Sequence, residues 1–354
     1  MHGGSMGRER EKIVVTGMGA VTPVGCGVEN YWNNLINGEC GIDRIMRFDA
    51  ESLAVKIAGE VKDFDIEAYM PKKMIHETDA FTQYAFAAAK EALGDGLPAD
   101  PERTGIVMGT AMAGVATTAA TQEILTNAVH KNVGPRFVPR ILGNIAAAQI
   151  AISYGIYGPS STLSTACASG CDAVSMAAMI LLADEADAVL AVGSESVLCP
   201  LVIYSLANAH TLSRMNDDPL HACRPFDAAR NGFVIGEGGG ALVLERESHA
   251  KARGAEIYAE LAGWANNNDA YHVMQPDPDG KMAARCMQMA MDCAGVAAQQ
   301  IDHINAHGTG TKQGDSAELA AISQVFGDAR PAITSTKGAT GHLMGGGGLT
   351  ESIA

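Results

Sequence analysis

The sequence predicts an α/β protein built from two related halves, on three observations. Short apolar strands alternate with helical segments along most of the chain, which favours largely parallel sheets covered on both faces by helices. The 354 residues include 40 glycines and only 5% aromatic residues, a composition that suits tight turns from strand to helix. A strand of small polar residues followed by a glycine-assisted helix start occurs at 161–170 and again at 332–341. The first half ends in a strand and a predicted hairpin, and nothing equivalent follows Ala354, so we expect the second half to be incomplete.

The first elements follow from apolar runs and their spacing. Residues 12–19 form an apolar run that ends in a glycine turn and predict a strand, and 30–37 has the spacing of a helix. Partial alternation over 51–61 predicts a short hairpin. Apolar side chains recur at helical spacing over 79–93 and predict a helix, and the short apolar run at 104–110 predicts a strand.

The middle of the chain continues this alternation. Residues 145–154 are apolar and alanine-rich, which predicts a buried helix closed by the glycine that follows. A strand is predicted at 161–165, a helix at 166–182 and an apolar strand at 188–193. Residues 231–245 predict two strands joined by a glycine turn.

A polar stretch at 249–254 marks a boundary. Beyond it the same criteria predict strands at 257–264, 301–306 and 332–336, and helices at 282–293, 316–326 and from 349 onward. We therefore divide the chain into a tag or flexible start at 1–11, an N-terminal half at 12–250 and a C-terminal half at 251–354.

Charge and hydropathy exclude two classes of partner. A net charge of −15 argues against nucleic acid, because phosphates require a basic surface. No apolar run reaches the roughly 18 residues of a membrane-spanning helix, and the first residues lack the apolar core of a signal peptide. The eight cysteines include no CxxC pair, so we expect reduced thiols, a cytoplasmic location and no zinc site.

Cys167 is the candidate nucleophile. It directly follows a predicted strand, begins a predicted helix and has small neighbours that leave its sulfur accessible. The partial charge and free N–H groups of a helix N-terminus lower the pKa of a thiol and can bind an oxyanion. The alternative interpretation is a small structural cysteine in a core helix, which is what we expect of Cys171.

Two histidines and a lysine are candidate partners of this thiol. His307 ends a predicted strand, and His342 follows a second strand and a glycine turn. Strand ends at one edge of a sheet can share a crevice, where neutral imidazoles would donate hydrogen bonds to an enolate oxygen. We see no third ligand that would make the two histidines a metal site, and structural roles remain the alternative for both. Lys337 lies between a predicted strand that looks buried and a glycine turn, which favours a role in the charge network over a surface position. Candidate carboxylate partners are Asp315, Glu318 and Glu351. Each could instead be a solvated helix residue, and Asp315 could be a helix N-cap.

Three ordered segments resemble the catalytic motifs of β-ketoacyl-acyl carrier protein synthases, most closely the synthase II type. They are 165–170 (TACASG), 305–311 (NAHGTGT) and 337–342 (KGATGH). Further segments similar to the same family are 15–19, 223–227, 232–238 and 269–272. The resemblance therefore extends from about Lys12 to the end of the chain.

The resemblance implies a thiolase-like fold with two βαβαβ halves in five layers, a homodimer, and acyl carrier protein as partner, without a cofactor. It implies that Cys167 takes an acyl chain as a thioester, and that His307 and His342 stabilise the enolate formed when malonyl-acyl carrier protein loses CO₂. Lys337 would act through its charge, paired with Glu351. The remaining roles would fall to Asp315 and Glu318 beside the His307 loop, Thr309 and Thr311 at the pantetheine arm, and Met112 and Phe137 at an acyl pocket of the dimer interface.

Two departures from the family pattern modify these expectations. Met274 and Gln275 occupy places where the family usually has a small hydroxyl residue that contacts pantetheine. The family also continues past the position of Ala354 to a glycine-rich loop with a gating phenylalanine, whose backbone N–H completes the oxyanion hole. We expect a polypeptide that ends at Ala354 to have weak activity or none.

The predicted reaction is a decarboxylative Claisen condensation that elongates an acyl chain in fatty acid, polyketide or polyene synthesis. A non-catalytic partner that shapes chain length is the first alternative, and the presence of Cys167 argues against it. A non-decarboxylating thiolase or an acyl-CoA-dependent synthase is the second, and the Cys-His-His set with Lys337 favours the elongating type. A cysteine hydrolase is least favoured, because it would leave the second histidine without a role.

Overall fold

The computed structural model of the chain describes residues 11–127 and 133–354, so the predicted flexible start at 1–11 lies almost wholly outside the described residues. The strands are β1 (Ile13–Thr22), β2 (Gly25–Cys26), β3 (Ile42–Arg44), β4 (Ile57–Gly59), β5 (Thr104–Gly109), β6 (Ser160–Leu163), β7 (Ala188–Glu195), β8 (Gly238–Arg246), β9 (Ala259–Glu260), β10 (His303–Asn305) and β11 (Ala332–Thr334). The helices are α1 (Val28–Ile36), α2 (Lys72–Glu77), α3 (Ala80–Leu93), α4 (Val115–Asn127), α5 (Phe137–Ile141), α6 (Ile145–Tyr154), α7 (Ser169–Leu182), α8 (Pro200–Asn208), α9 (Glu247–Ala252), α10 (Lys281–Ala294), α11 (Lys312–Phe326), α12 (Lys337–Thr340) and α13 (Gly347–Ile353). Among the described helices, none combines the length and the hydropathy needed to cross a bilayer.

A mixed sheet forms the centre of the first half. Its strands lie in the order β2-β1-β8-β7-β5-β6, and β9 also pairs with β1. β5 runs parallel to β6 and β7, whereas β7 and β1 run antiparallel to β8. Every residue of β5 and β7 is buried, as expected of strands covered on both faces.

Helices cover both faces of this sheet. On one face α3 and α6 pack against Ile106 and Met108 of β5. On the other face α7 packs against Val107 of the same strand, together with Leu349 of α13. Successive residues of β5 therefore enter different core layers, as the two-residue period of a strand requires.

A second, smaller sheet positions the loops of the C-terminal half. β10 and β11 run parallel, with Ile304 opposite Ile333, and α10 packs on α11 through a cluster that includes Met291 and Phe326. Parallel strands end at the same edge of a sheet. The loops that follow β10 and β11 therefore leave this sheet side by side.

Two predicted hairpins are wrong. Residues 51–61 do not form one, because β4 pairs with β3, which lies earlier in the chain. Residues 231–245 contain one strand, β8, whose glycines are part of the strand rather than of a turn. A Cβ atom on Gly240 would lie 2.9 Å from the Cβ atom of Leu349. The glycines of β8 therefore allow α13 to approach the sheet closely.

Several boundaries also differ from the prediction. Residues 249–254, predicted as a polar boundary, lie largely in α9, and α11 starts earlier than predicted, at Lys312. Asp315 therefore lies within the helix, and the N-cap alternative for it is wrong. The helix predicted to begin at the nucleophile opens instead with a 3₁₀ turn, Ala166–Ala168. α6 has the predicted bounds, but it is buried on one side only, since Ile152 is 76% exposed.

Candidate active site

Cys167 lies in the turn that joins β6 to α7. The residue before it, Ala166, has a φ of 52°, a left-handed conformation that costs a non-glycine residue about 1–2 kcal/mol. The buried Ser169 holds this turn, because its Oγ donates to the carbonyl of Ala166 at 2.7 Å and accepts from the backbone N–H of Thr165 at 2.9 Å. The strained turn thus presents the thiol at the carboxyl end of β6, next to the N-terminus of α7.

His307 and His342 lie in the loops that follow β10 and β11. The hydroxyl of Ser335 donates to the carbonyl of Gly308 at 2.8 Å and so joins one loop to the other. The backbone N–H of His342 donates to the carbonyl of Val234 at 2.7 Å, which ties the second loop to the first half of the chain. These bonds bring both imidazoles to the nucleophile turn.

Three of the four side chains predicted to be catalytic, those of Cys167, His307 and His342, lie together. His342 Nε2 is 2.9 Å from Cys167 Sγ, and the ring centroids of His307 and His342 are 5.2 Å apart. Sγ and one nitrogen of each ring all lie within 4.8 Å of one another. One small acyl or enolate group could therefore contact all three side chains. Cys167 also supplies the third donor atom that the sequence did not suggest for the histidines, so the set has the donor types of a metal site.

Burial dominates the electrostatics of the thiol. It raises the pKa of Cys167, while the ammonium group of Lys337 lowers this pKa and the carboxylates of Glu195 and Glu351 raise it. The sequence-based expectation of a lowered pKa is therefore wrong. The thiol is the resting form, and its deprotonation depends on a hydrogen-bond partner.

Both histidines are neutral at neutral pH. Burial and the nearby Lys337 ammonium lower the pKa of His307 to about 3 and that of His342 well below its usual value. His342 is only 3% exposed, whereas His307 is exposed, so the protein excludes solvent from His342 more completely than from His307. Uncharged imidazoles can donate hydrogen bonds to a developing anion without an added positive charge.

The tautomer of His342 follows from its surroundings. Its Nδ1 atom has no hydrogen-bond partner among the described residues. A buried unpaired N–H group is rarer than a buried unpaired acceptor, so we assign the proton to Nε2. The Nε2–H group then donates toward Cys167 Sγ and favours the thiolate.

Lys337 is a fixed cation beside this group. Its side chain is 1% exposed and forms an ion pair with Glu351 of α13. Burial raises the pKa of Glu351, and Lys337 lowers it. The predicted Lys337–Glu351 pair is thus formed, and removing either partner would leave a buried charge uncompensated.

Two carboxylates of α11 hold the loop that follows β10. Glu318 accepts from the backbone N–H groups of His307 at 2.6 Å and Gly308 at 2.7 Å, and burial raises its pKa. Asp315 is fully buried and accepts from the backbone N–H of Gly310 at 3.1 Å. Both residues therefore contact the His307 loop as expected.

The hydroxyls expected at the pantetheine arm are engaged within the protein. The Oγ1 atoms of Thr309 and Thr311 are 3.0 Å apart. Thr311 also caps α11 by accepting from the backbone N–H of Gly314 at 3.2 Å. Thr309 is 7% exposed, so a ligand would reach it only from one side.

The other expected substrate contacts lie on more open segments. Met112 follows β5 and is 39% exposed, and Phe137 begins α5 and is partly buried. Met274 is 69% exposed and lies with Gln275 in the segment before α10.

Sequence reasoning missed Glu195 and Phe226. Glu195 ends β7, is fully buried and accepts hydrogen bonds from the segment after β5. Phe226 has a φ of 65°, and its backbone N–H donates to Asp315 at 2.7 Å. A lone acidic residue at the end of an apolar strand could have identified Glu195, whereas a left-handed phenylalanine has no sequence signal.

Both halves of the chain match models of one protein family. Residues 10–250 match the model described as "Beta-ketoacyl synthase, N-terminal domain", and residues 258–354 match "Beta-ketoacyl synthase, C-terminal domain". The sequence is 40% identical to 3-oxoacyl-[acyl-carrier-protein] synthase 2 of Staphylococcus aureus (strain COL), over 98% of this chain and 84% of that protein.

Solved structures are similar as well. A β-ketoacyl synthase from Burkholderia phymatum matches with a TM-score of 0.88 and 33% identity, over 97% of this chain and 85% of that one. A type II polyketide ketosynthase bound to a hexaketide, solved in complex with its acyl-carrier protein, matches with a TM-score of 0.85 and 33% identity, over 98% of this chain and 85% of that one.

Proposed function

Because this chain belongs to the β-ketoacyl synthase family, we propose that Cys167, His307 and His342 carry out its condensation. The chain is a condensing enzyme of the acyltransferase class with a thiolase-like fold. It joins an acyl chain to malonyl-acyl carrier protein in fatty acid or polyketide elongation, and a non-catalytic chain-length partner is not favoured. The observation that carries the assignment of residues is the 2.9 Å contact between His342 Nε2 and Cys167 Sγ.

The first step loads the nucleophile. The Cys167 thiolate attacks the thioester carbonyl of acyl-carrier protein, and the carrier leaves as a free thiol that takes up one proton. The tetrahedral oxyanion needs hydrogen-bond donors, which backbone N–H groups at the start of α7 can supply. The strained turn at Ala166 supports this step because it exposes Sγ to a bound thioester.

The second step forms the carbon–carbon bond. Malonyl-carrier protein loses CO₂, and the electron pair of the broken bond becomes an enolate thioester. Neutral His307 and His342 donate hydrogen bonds to the enolate oxygen. The enolate carbon attacks the acyl-Cys167 carbonyl, the Cys167 thiolate leaves, and 3-ketoacyl-carrier protein is the product.

Four further residues act on Cys167, His307 and His342 through charge or hydrogen bonds. Lys337, paired with Glu351, favours the thiolate and disfavours protonation of both imidazoles. Glu318 and Asp315 fix the His307 loop through its backbone. These contacts support positioning roles, because neither carboxylate needs to touch substrate.

Substrate contacts are assigned from the family pattern. We assign Thr309 and Thr311 to the pantetheine arm, and Met112 and Phe137 to the acyl pocket. Met112 would limit chain length by its bulk. The small hydroxyl usual in the family is replaced at Met274 and Gln275, so the pantetheine arm is expected to rely more on the two threonines.

We propose acyl carrier protein as the partner, a homodimer as the assembly and the cytoplasm as the location, and several observations support these proposals. A similar ketosynthase was solved in complex with its acyl-carrier protein, which supports a carrier protein as partner here. Large apolar side chains are exposed near the edge strand β6, which supports a homodimer. Among the described residues no two cysteines form a disulfide, which fits the reducing cytoplasm. We retain the division into halves at 12–250 and 251–354.

Intact-protein mass spectrometry tests this assignment. Incubation with acyl-carrier protein should add one acyl group to the chain, and hydroxylamine should remove the group because it is a thioester. Cys167→Ala should abolish the adduct, whereas the matched variant Cys171→Ala, one helical turn away, should keep it. An adduct that persists in Cys167→Ala, or is lost in Cys171→Ala alone, would assign the nucleophile elsewhere.

A further inference from the structure

Glu195 is a buried carboxylate whose hydrogen bonds all come from loops around the active site. It ends β7 and is 0% exposed. Its Oε1 atom accepts from Thr110 Oγ1 at 3.0 Å and from the backbone N–H of Met112 at 3.1 Å. Its Oε2 atom accepts from the backbone N–H groups of Ala111 and of Gly345, the latter at 3.2 Å. Both oxygens are therefore fully occupied by donors.

These donors belong to segments that carry the predicted catalytic and acyl-binding residues. Thr110 to Met112 follow β5 and lead to the proposed acyl pocket. Gly345 lies three residues after His342. Ala111 continues the connection toward the nucleophile, because its carbonyl accepts from the hydroxyl of Ser164 at 3.2 Å, three residues before Cys167. One carboxylate thus bonds to the acyl-pocket segment and to the segment after His342, and Ala111 extends this connection to the nucleophile turn.

Strained backbone lies on each side of this carboxylate. Ala113 has a φ of 46° and Met344 a φ of 47°, conformations that non-glycine residues keep only where their surroundings fix them. A Cβ atom on Gly345 would lie 2.8 Å from Glu195 Oε2 and 2.6 Å from the backbone N of Ala111. The two segments are therefore in direct contact, with the carboxylate bonded to both.

We propose that Glu195 is a positioning residue that sets the place of Met112 relative to His342 and Cys167, and thereby the chain length that the enzyme accepts. This rests on the proposed function, since it presumes that these residues form the acyl-transfer site. Glu195 has a second effect through its charge, because a carboxylate near Cys167 disfavours the thiolate.

Glu195→Gln tests both the positioning effect and the charge effect of Glu195, because glutamine has nearly the same shape as glutamate but carries no charge. The amide NH₂ group must replace either Oε1 or Oε2, and in each orientation it faces at least one backbone N–H that cannot turn away. The segment is therefore displaced, and a misplacement of about 1 Å can cost about a hundredfold in rate. We expect acylation of Cys167 by the preferred acyl-carrier protein to slow by about ten- to a hundredfold, and the ranking of chain lengths to change. We also expect iodoacetamide to alkylate Cys167 faster at neutral pH, because the thiol loses a negative neighbour.

A shift of the alkylation pH profile to lower pH, with an unchanged rate at high pH, would report the lost charge, whereas a loosened site would raise the alkylation rate at every pH. Glu237→Gln is the matched control, since Glu237 is equally buried but bonds to Arg47, Tyr84 and Ser196. It should change neither the chain-length ranking nor the alkylation rate. If Glu195→Gln does not fold, Thr110→Val removes one of the four donors and should shift the ranking in the same direction by less.

The outcomes distinguish this proposal from the function it rests on. If Glu195→Gln folds and keeps the wild-type chain-length ranking and alkylation rate, the positioning role is overturned. If Glu195→Gln does not fold, a folded Thr110→Val protein with an unchanged chain-length ranking would overturn it. If the wild type itself is not acylated at Cys167, the proposed function fails. The alkylation assay would then still measure the influence of Glu195 on the thiol, since it needs no carrier protein.

Discussion

The Cys167 thiol is subject to opposing influences from groups within its own site. Burial and two carboxylates favour the protonated form, while Lys337 favours the thiolate. His342 adds a donor 2.9 Å from Sγ. An enzyme that keeps its thiol protonated at rest limits oxidation and alkylation of the free site. The hydrogen bond from His342 Nε2–H then stabilises the thiolate when it forms.

We expect acid to destabilise the folded protein through His342. Burial keeps its pKa in the folded state well below the usual value, whereas a histidine in the unfolded chain titrates near about 6.5. Below that pH the unfolded state binds one proton more than the folded state, so the free energy of unfolding falls by up to about 1.4 kcal/mol per pH unit. Guanidinium chloride denaturation at pH values of about 7.5 and 5.5 should show the wild type losing about 1 kcal/mol more than His342→Asn.

Comparing the wild type with His342→Asn isolates the contribution of His342 to the pH dependence of stability. Glu318 and Glu351 have raised pKa values in the folded state, so on further acidification they stabilise the folded protein and oppose the effect of His342. His307 acts in the same direction as His342, because its pKa is also lowered, and its contribution cancels in the comparison because it is present in both proteins. Equal losses in the wild type and the variant would show that His342 is not held neutral.

Lys337→Met should be strongly destabilising although it preserves the length of the side chain. Lys337 is 1% exposed and paired with Glu351, and removing one partner of a buried pair costs about 3–5 kcal/mol. Glu351 is 18% exposed, which places the expected loss near the lower end. Denaturant unfolding measures the loss, and Lys337→Met combined with Glu351→Gln should recover part of it.

The same variant has an effect on the thiol. The pKa of Cys167 should rise when the cation is removed, because Lys337 lowers it in the wild type. The pH profile of iodoacetamide alkylation should therefore shift to higher pH. A stability loss without that shift would restrict Lys337 to a structural role.

Among the secondary-structure elements, the contact of β8 with α13 connects the central sheet to the end of the chain. Gly240 of β8 would place a Cβ atom 2.9 Å from Leu349 Cβ and 3.0 Å from the backbone N of Thr350. Neither atom can move without shifting α13, the helix that also carries Glu351. The glycines of β8 therefore position the partner of Lys337.

Gly240→Ala should destabilise the protein by about 1–3 kcal/mol, as overpacking of a close contact does. Gly134→Ala is the matched control, because no atom lies within 4 Å of its added Cβ and its φ is not positive. It should be neutral or stabilising by up to about 1 kcal/mol. Thermal unfolding of both variants measures the difference, and equal stability would mean that α13 can withdraw from β8 at no cost.

The elements predicted correctly from sequence are those that local chemistry specifies. The bounds of α6 were predicted from its apolar spacing and from the glycine at 155, which has the left-handed conformation that ends a helix. The glycines of β8 misled the prediction, because a glycine run is compatible both with a turn and with close packing of another element. The strand pair of β3 and β4 was missed because three-residue strands carry too little pattern to reveal their register.

The site was predictable to the extent that its residues end strands. Cys167 and His342 follow a strand and a small-residue or glycine turn, and His307 ends a strand directly before Gly308, which the sequence displays. Glu195 was missed because its partners lie between 83 and 150 residues away and are mostly backbone groups, which have no residue identity. The raised pKa of Cys167 was also missed, because burial is a property of the assembled site.

At the scale of the whole molecule, the central sheet has one conspicuous open edge. β6 ends the strand order, and its first two residues are exposed. Ile152 of α6 and Tyr157, just before β6, are each 76% exposed. An unpaired strand edge beside large exposed apolar side chains is a surface that proteins normally cover.

We expect a second copy of the chain to cover this edge and the protein to sediment as a dimer. A stable interface buries about 1,200–2,000 Å² in total, and charged side chains in its apolar centre would be costly to desolvate. Ile152→Glu combined with Tyr157→Glu should therefore convert the dimer to a folded monomer in analytical ultracentrifugation. Ile36→Glu is the control, since Ile36 is 60% exposed on α1, which packs on β1 and β2 at the opposite edge of the sheet. It should leave the dimer intact, and dimers that survive Ile152→Glu with Tyr157→Glu at micromolar concentration would place the interface on another surface.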